Sequence, residues 1–377
     1  MTIAEKATDS RRAGPGGRTF RIERRVDVDQ RAAVKMRVLG AVVALLASGL
    51  ALLLSGRNPI GLGIDALDAV FGSRRGIEGT ALRALPILMT ALGVALALRI
   101  KVWNIGSDGQ FLMGAFAAVG VGIHLSGPGW FVLIVMALAA TLAGAVWILV
   151  PALARAYWDV NEIITTLLLN FVAVQLVTWA ALGFWRDTGA AVIQSTEQVP
   201  VVLASLPGTQ SLTIALLVPI AIAAALAWVF RSSKWGYEVD IVGGNPKAGV
   251  FAGINVRRRI LVVMLISGSI AGLGGMLQLS APGAQALSSG FSAQFGLAGF
   301  IVAALAGGSF RGVIVAGFFI ASMFFAGLVL QTKGLSVFII FAIYGVILTG
   351  IAIGEVAARY RLVRTDVAPP RPGGVPA

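Results

Sequence analysis

Long apolar runs recur along this chain, and that pattern restricts its fold more than any motif does. A run of about 18 or more apolar residues crosses a hydrocarbon layer of roughly 30 Å as a helix. Lipid offers the backbone no water to bond, so only helices and closed barrels span it, and runs of this length select a helical bundle. A mean hydropathy of +0.88 and a charged fraction of 12% lie outside the range of soluble domains. The chain therefore reads as an all-α integral membrane protein, a bundle of about ten transmembrane spans.

The spans are expected near residues 38–55, 80–98, 110–125, 130–154, 161–185, 212–230, 260–281, 295–309, 312–331 and 334–354. The third and eighth are short enough to be half-spans. The first is too long and too late for a cleaved signal peptide. Residues 1–37 carry ten of the 30 Lys and Arg and show no hydrophobic periodicity, so they read as a disordered basic tail. Residues 38–358 form the transmembrane domain, and residues 359–377, basic and then Pro/Gly-rich, read as a second disordered tail. With both termini cytoplasmic, most Lys and Arg fall in inside segments. That placement explains the net charge of +13 without nucleic acid. The absence of cysteine excludes disulfides and thiolate metal sites. His124 stands alone, which argues against a histidine-based metal site.

The longest polar interruption, residues 231–259, reads RSSKWGYEVDIVGGNPKAGVFAGINVRRR. Gly243-Gly244 gives a break, Asn245 is a good N-cap, and Pro246 suits the first helical position. Lys247 to Ile254 then makes about two turns, with Val250, Phe251 and Ile254 on one apolar face. A short capped helix between spans suits a docking knob for a cytoplasmic partner. The alternative is a solvated loop with one turn of helix.

Polar residues inside the apolar regions are few. Trp103-Asn104-Ile105-Gly106-Ser107-Asp108-Gly109-Gln110 interrupts two apolar runs, either as a polar break lining a pathway or as a cytoplasmic turn capped by Asp108. Glu162, Thr166 and Asn170 step by four, share one arc of the fifth span and climb roughly 12 Å along it. Gln175 and Thr178 continue the polarity. Such a stripe either hydrogen-bonds neighbouring helices or meets solute. The small residues Ser267 to Gly275 allow close helix packing. Phe111, Phe171, Trp179, Phe184, Trp185 and Phe295 can stack on a planar ligand or serve packing and interface belts. No Walker A loop, no Ser/His/Asp set and no HExxH occurs.

WNIGSDGQ (103–110), NEIITTLLLN (161–170), GGNPKAGVFAGINVRRR (243–259), SGSIAGLGG (267–275) and GLAGFIVAALAG (296–307) occur in this order. Together they resemble the permease subunit of ABC importers for nucleosides and simple sugars, within the branched-chain amino acid and ribose permease superfamily. The resemblance covers roughly residues 40–355, and the span-five pattern is most similar to the nucleoside branch. It departs from the family at Trp103, Asp108 and Leu297, and at Gly308 to Arg311.

The resemblance implies a coupling helix that fits the ATPase subunit, built from Gly244, Asn245, Pro246, Lys247, Ala248, Val250, Phe251, Gly253 and Ile254. It implies a substrate pathway near Asn104, Asp108, Gln110, Phe111, Glu162, Thr166, Asn170, Gln175 and Trp179. It also implies a second permease subunit, identical or homologous, and an extracytoplasmic substrate-binding protein. The chain itself would bind no cofactor, with ATP and Mg on the ATPase, and would sit in a bacterial cytoplasmic membrane. A neutral polar solute, a nucleoside first and a simple sugar second, fits spans without deep unpaired charge. An ion-coupled secondary transporter would want a carboxylate at mid-depth, whereas Asp108 and Glu162 are expected near the cytoplasmic side.

Overall fold

The computed structural model describes residues 18–24, 30–189, 195–209, 212–288, 290–292 and 294–366. Within them, Ile64–Gly334 is one compact unit, while segments from the two chain ends make up a second.

The larger unit holds α3 (Arg74–Arg99), α4 (Ser107–His124), α5 (Gly129–Trp158), α6 (Glu162–Leu182), α7 (Leu217–Ser232), α8 (Lys234–Gly244), α9 (Pro246–Phe251), α10 (Val256–Leu279), α11 (Phe295–Leu305) and α12 (Phe310–Thr332). α3 and α10 form its centre, with 83% and 61% of their apolar windows buried. Both are apolar on nearly every face, which is what a helix surrounded by other helices requires. α5, α6, α7 and α12 surround them and leave large apolar side chains such as Leu138, Ile164, Trp228 and Val315 exposed.

The small-residue stretch of α10 does pack closely. A Cβ on Gly272 would lie 2.4 Å from the Ala140 carbonyl oxygen of α5, and one on Gly268 would lie 2.5 Å from that of Gly144. Gly272 also meets Gly114 of α4, whose own Cβ would fall 2.1 Å from the Gly272 oxygen. Gly272→Ala is therefore expected to cost about 1–3 kcal/mol through overpacking. Thermal unfolding of the detergent-solubilised chain checks this, and an unchanged midpoint would show that the helices yield.

Among the described residues, eight helices are long and apolar enough to cross a membrane. The two remaining expected spans are α4 and α11. α11 has 11 residues, so at 1.5 Å per residue it reaches only about 16 Å, half a crossing. Before it, irregular backbone at residues 280–288 lies against the loop at 195–203. Thr196 N donates to Leu287 O (3.0 Å), Val199 N to Gln285 O (2.9 Å) and Leu203 N to Ser280 O (3.0 Å). The expected eighth span is thus a half-helix preceded by a loop.

The second unit comprises β1 (Arg18–Arg24), α1 (Gln30–Leu54), α13 (Val337–Arg359) and β2 (Tyr360–Asp366). Gly40 of α1 packs against Gly350 and Gly354 of α13, and Arg37 pairs with Glu355. β1 and β2 form an antiparallel pair from Arg18↔Asp366 to Arg24↔Tyr360. This corrects the expectation of two unstructured tails at residues 1–37 and 359–377. β1 alternates polar with apolar residues, as in Phe20 and Ile22, and each strand gains backbone partners only from the other chain end. α1 also begins at Gln30, before the expected start at 38. The rest of that expectation, residues 1–17, 25–29 and 367–377, lies outside the described residues.

Candidate functional site

The turn between α3 and α4 enters the bundle and is tied there. Asn104 and Gln110 are buried and exchange both amide hydrogen bonds, at 3.0 and 2.8 Å. Asn104 Nδ2 also donates to Ser267 Oγ at 2.9 Å, and Ser267 Oγ donates to the Gly93 carbonyl at 2.7 Å. One closed network therefore joins the turn, α10 and α3. A satisfied buried network rigidifies a core, and these two amides have little capacity left for a solute. Phe111 is fully buried between Phe291 and Phe295, with ring centroids at 5.8 and 5.9 Å.

The polar stripe of α6 faces this same turn. Glu162 Oε1 accepts from Trp103 N at 3.2 Å, and Arg155 pairs with its other oxygen at 3.3 Å. Thr166 returns its hydroxyl to the Glu162 carbonyl of its own helix. It lies against Gly106, where an added Cβ would be 2.8 Å from Thr166 Cβ. Asn170 Oδ1 accepts from Gly109 N at 2.8 Å, and its Nδ2 donates to the Ile105 carbonyl at 3.0 Å. Asn161, one residue before the stripe, caps α6 by accepting from Ile163 N.

Asp108 looks away from its own turn. Its Oδ1 accepts from Gly296 N at 2.7 Å and from Ser292 Oγ at 3.0 Å, so it caps the first turn of α11. Thr90 of α3 donates to the Phe295 carbonyl at the same helix end. Thr90 stands nine residues before Arg99, so the half-helix starts about 13 Å inside the bundle, near mid-depth. A half-helix N-terminus at that depth attracts anions, and Asp108 already fills that role.

Gln175 and Trp179 lie elsewhere. They share an exposed face of α6 with Phe171, where Phe171 is 65% and Trp179 63% exposed. Gln175 is also exposed, and among the described residues its amide makes no hydrogen bond. Trp179, Phe184 and Trp185 continue as an aromatic chain, with successive centroids 4.9 and 4.8 Å apart. Phe116 adds a fourth ring 4.8 Å from Trp185. Of the expected pathway residues, Gln175 and Trp179 have polar or aromatic surface to offer, while Asn104, Gln110, Phe111, Thr166 and Asn170 are consumed by packing and internal bonds.

In the long polar loop, α9 is capped by Asn245, whose Oδ1 accepts from Lys247 N and Ala248 N, with Pro246 at the first position. The helix is shorter than the expected Lys247–Ile254. Gly253, at φ +74°, ends it, and Ile254 N bonds back to the Gly249 carbonyl. Val250 is 65% and Phe251 92% exposed, while Ile254 turns partly inward. Beside it lies a groove of about 570 Å³ that includes Val250, Ile254, Ile100 and Tyr157. α8 is a helix the sequence pattern did not signal. Gly243 lets it approach α3, since a Cβ there would lie 1.8 Å from the Arg99 oxygen. Arg99 pairs with Asp240 at 3.3 Å, Lys101 Nζ donates to the Gly244 carbonyl at 3.2 Å, and Arg259 pairs with Glu238. The loop is thus braced on the end of α3 that leads into the buried turn.

Sequence reasoning missed Ser267, Ser292 and Arg155 as partners of these groups. Ser267 belongs to the small-residue stretch that suits packing, and nothing local to Ser292 or Arg155 signals a partner so far along the chain or in the next helix.

The family described as branched-chain amino acid transport system / permease component matches residues 76–353. The chain is 32% identical, over 86% of its own length and 88% of the relative's, to the glucose ABC transporter permease protein TsgB13 of Haloferax volcanii. It is 30% identical, over 74% and 81%, to the guanosine ABC transporter permease protein NupP of Bacillus subtilis. It is 27% identical, over 75% and 80%, to the nucleoside ABC transporter permease protein NupB of Lactococcus lactis. No solved structure gives a significant match.

Proposed function

The chain belongs to the permease component family of branched-chain amino acid transport systems, and on that premise we propose that it carries a nucleoside across the cytoplasmic membrane. It is the membrane-spanning subunit of an ABC importer. A separate ATPase subunit powers it, a second permease subunit completes the membrane part, and an extracytoplasmic protein delivers the solute. ATP binding on the partner moves α9, and α8 carries the displacement to the end of α3 and the buried turn.

The observation that carries the substrate reading is the exposed stripe Phe171–Gln175–Trp179 on α6. An unpaired amide is costly against lipid, so this face meets water, a partner or solute. Rings one turn above and below an amide suit a nucleoside, which needs a stacking surface and hydrogen bonds. Asp108 at the start of α11 supports neutral over anionic cargo. The relatives named for guanosine and nucleosides agree. A simple sugar is the second reading, favoured by the relative named for glucose.

The test is uptake of labelled guanosine and glucose by cells expressing this chain with its ATPase and binding protein. Guanosine uptake that stops when the ATPase is inactivated is expected. Trp179→Ala should reduce it roughly tenfold, given about 1–3 kcal/mol for stacking a base on an aromatic ring. Gln175→Leu should lower uptake without lowering stability. Glucose uptake would keep the mechanism and change the cargo. Uptake that survives ATPase loss would remove the importer mechanism.

A further inference from the structure

Two concavities between α7 and α12 share Ala227, Arg231 and Arg311, and together they have the form of a phospholipid. The first, about 470 Å³, is an apolar trough between Ile220, Ala223 and Ala224 of α7 and Ile314 and Val315 of α12. Alanines on α7 leave the room that larger side chains would fill. From Ile220 to Arg231 the trough runs eleven residues, about 16 Å at helical rise. That is the depth of one leaflet in a core of roughly 30 Å.

The second, about 380 Å³, opens at the polar end of the trough and is lined by Arg99, Arg231, Arg311 and Asp240. Arg99 is engaged, paired to Asp240 and lying over the rings of Phe230 and Phe310 at 4.9 and 5.3 Å. Its buried Nε has no acceptor. Arg231 and Arg311 are exposed and have no carboxylate or hydrogen-bond partner among the described residues. With Asp240 balanced by Arg99, the cavity carries two uncompensated positive charges. α12 also begins here, after Gly307 and Gly308, both at positive φ, so its positive end faces the same space. Trp228 lines the trough one turn inside Arg231, 69% exposed, at the level where aromatic residues meet headgroups.

We propose that this is a binding site for an anionic phospholipid, with its phosphate on Arg231 and Arg311 and one acyl chain in the trough between α7 and α12. The site lies on the membrane face that carries α8 and α9, because Asp240 of α8 lines it. A free phosphate would not need the trough, and a neutral lipid would not need the arginines. The site bears on what surrounds the transporter and is independent of what it transports.

Native mass spectrometry of the whole importer complex, supplied with phosphatidylglycerol or phosphatidylcholine, tests this. Retention of phosphatidylglycerol over phosphatidylcholine is expected, and the Arg231→Gln/Arg311→Gln pair should lower it roughly tenfold or more. Arg231→Lys/Arg311→Lys should keep most of it and shows that the complex tolerates substitution there. Ala224→Leu, which fills the trough and leaves both arginines, should lower retention as well. Equal retention of the two lipids, or full phosphatidylglycerol retention in the glutamine pair, would overturn the proposal. So would a glutamine pair that sheds the ATPase subunit with its lipid unchanged, because the arginines would then serve a protein contact.

Discussion

Asn245→Ala with Phe251→Ala is expected to abolish co-purification of the ATPase subunit while the chain still inserts and folds. Phe251 is 92% exposed at the end of a six-residue helix. A large apolar side chain so placed stabilises nothing in its own chain and suits an anchor in a partner's pocket. Removing such an anchor costs about 2 kcal/mol or more, thirtyfold or more in affinity. Asn245 adds to this, because an alanine at the N-cap costs about 1 kcal/mol and a helix of less than two turns has no reserve. Asn245→Asp keeps the capping oxygen and should retain the ATPase. Unchanged co-purification in the double variant would reduce α9 to a local turn.

Asn170→Leu is expected to lower the stability of the solubilised protein by several degrees and to abolish uptake with it. The substitution strands Gly109 N and the Ile105 carbonyl, which Asn170 bonds at 2.8 and 3.0 Å. Each buried group left without a partner costs about 1–3 kcal/mol. Differential scanning fluorimetry beside an uptake assay measures both quantities. A variant that keeps its midpoint yet loses transport would return Asn170 to the solute path. Gln175→Leu provides the contrast, since its amide has no internal bond to lose.

The bundle, its long spans and the close-packing face of α10 are legible because hydropathy and glycine spacing are local properties, while the choice of α5 as the partner is not. The i, i+4, i+8 spacing of Glu162, Thr166 and Asn170 correctly put them on one arc. What local pattern could not tell was what that arc faces. The polar turn at 103–110 and the polar stripe of α6 are two separate features in the sequence, and in the fold they satisfy each other. Asp108 reads in the sequence either as part of a polar break or as the cap of its own turn, but the N–H it accepts from, that of Gly296, lies 188 positions further along the chain. α8 is hidden because Lys234, Tyr237, Glu238 and Asp240 make it polar, and its helical state rests on burying Val239, Val242 and Gly243, the last against the Arg99 carbonyl of α3. The strands at 18–24 and 360–366 depend on a partner at the far end of the chain, which no window of local sequence contains. α9 was legible to the residue at its start, where Asn-Pro is strong punctuation, and less so at its end, where Gly253 rather than Ile254 decides.

Where an eighth span is expected, a loop and the half-helix α11 follow one another, two kinds of backbone with different support. An α-helix carries its hydrogen bonds with it and moves as a rod. The carbonyls of Ser280, Gln285 and Leu287 instead take their bonds from the N–H groups of Leu203, Val199 and Thr196, so this bonding lasts only while that loop stays beside them. Pulling that loop away would break these bonds one by one, while Asp108 and Thr90 still hold the start of α11. Amide hydrogen exchange should therefore be fast at Thr196, Val199 and Leu203, whose N–H groups donate these bonds, and slow in α3 and α10. A partner that seizes residues 196–203 would therefore release the loop's clasp and leave the half-helix moored to the bundle.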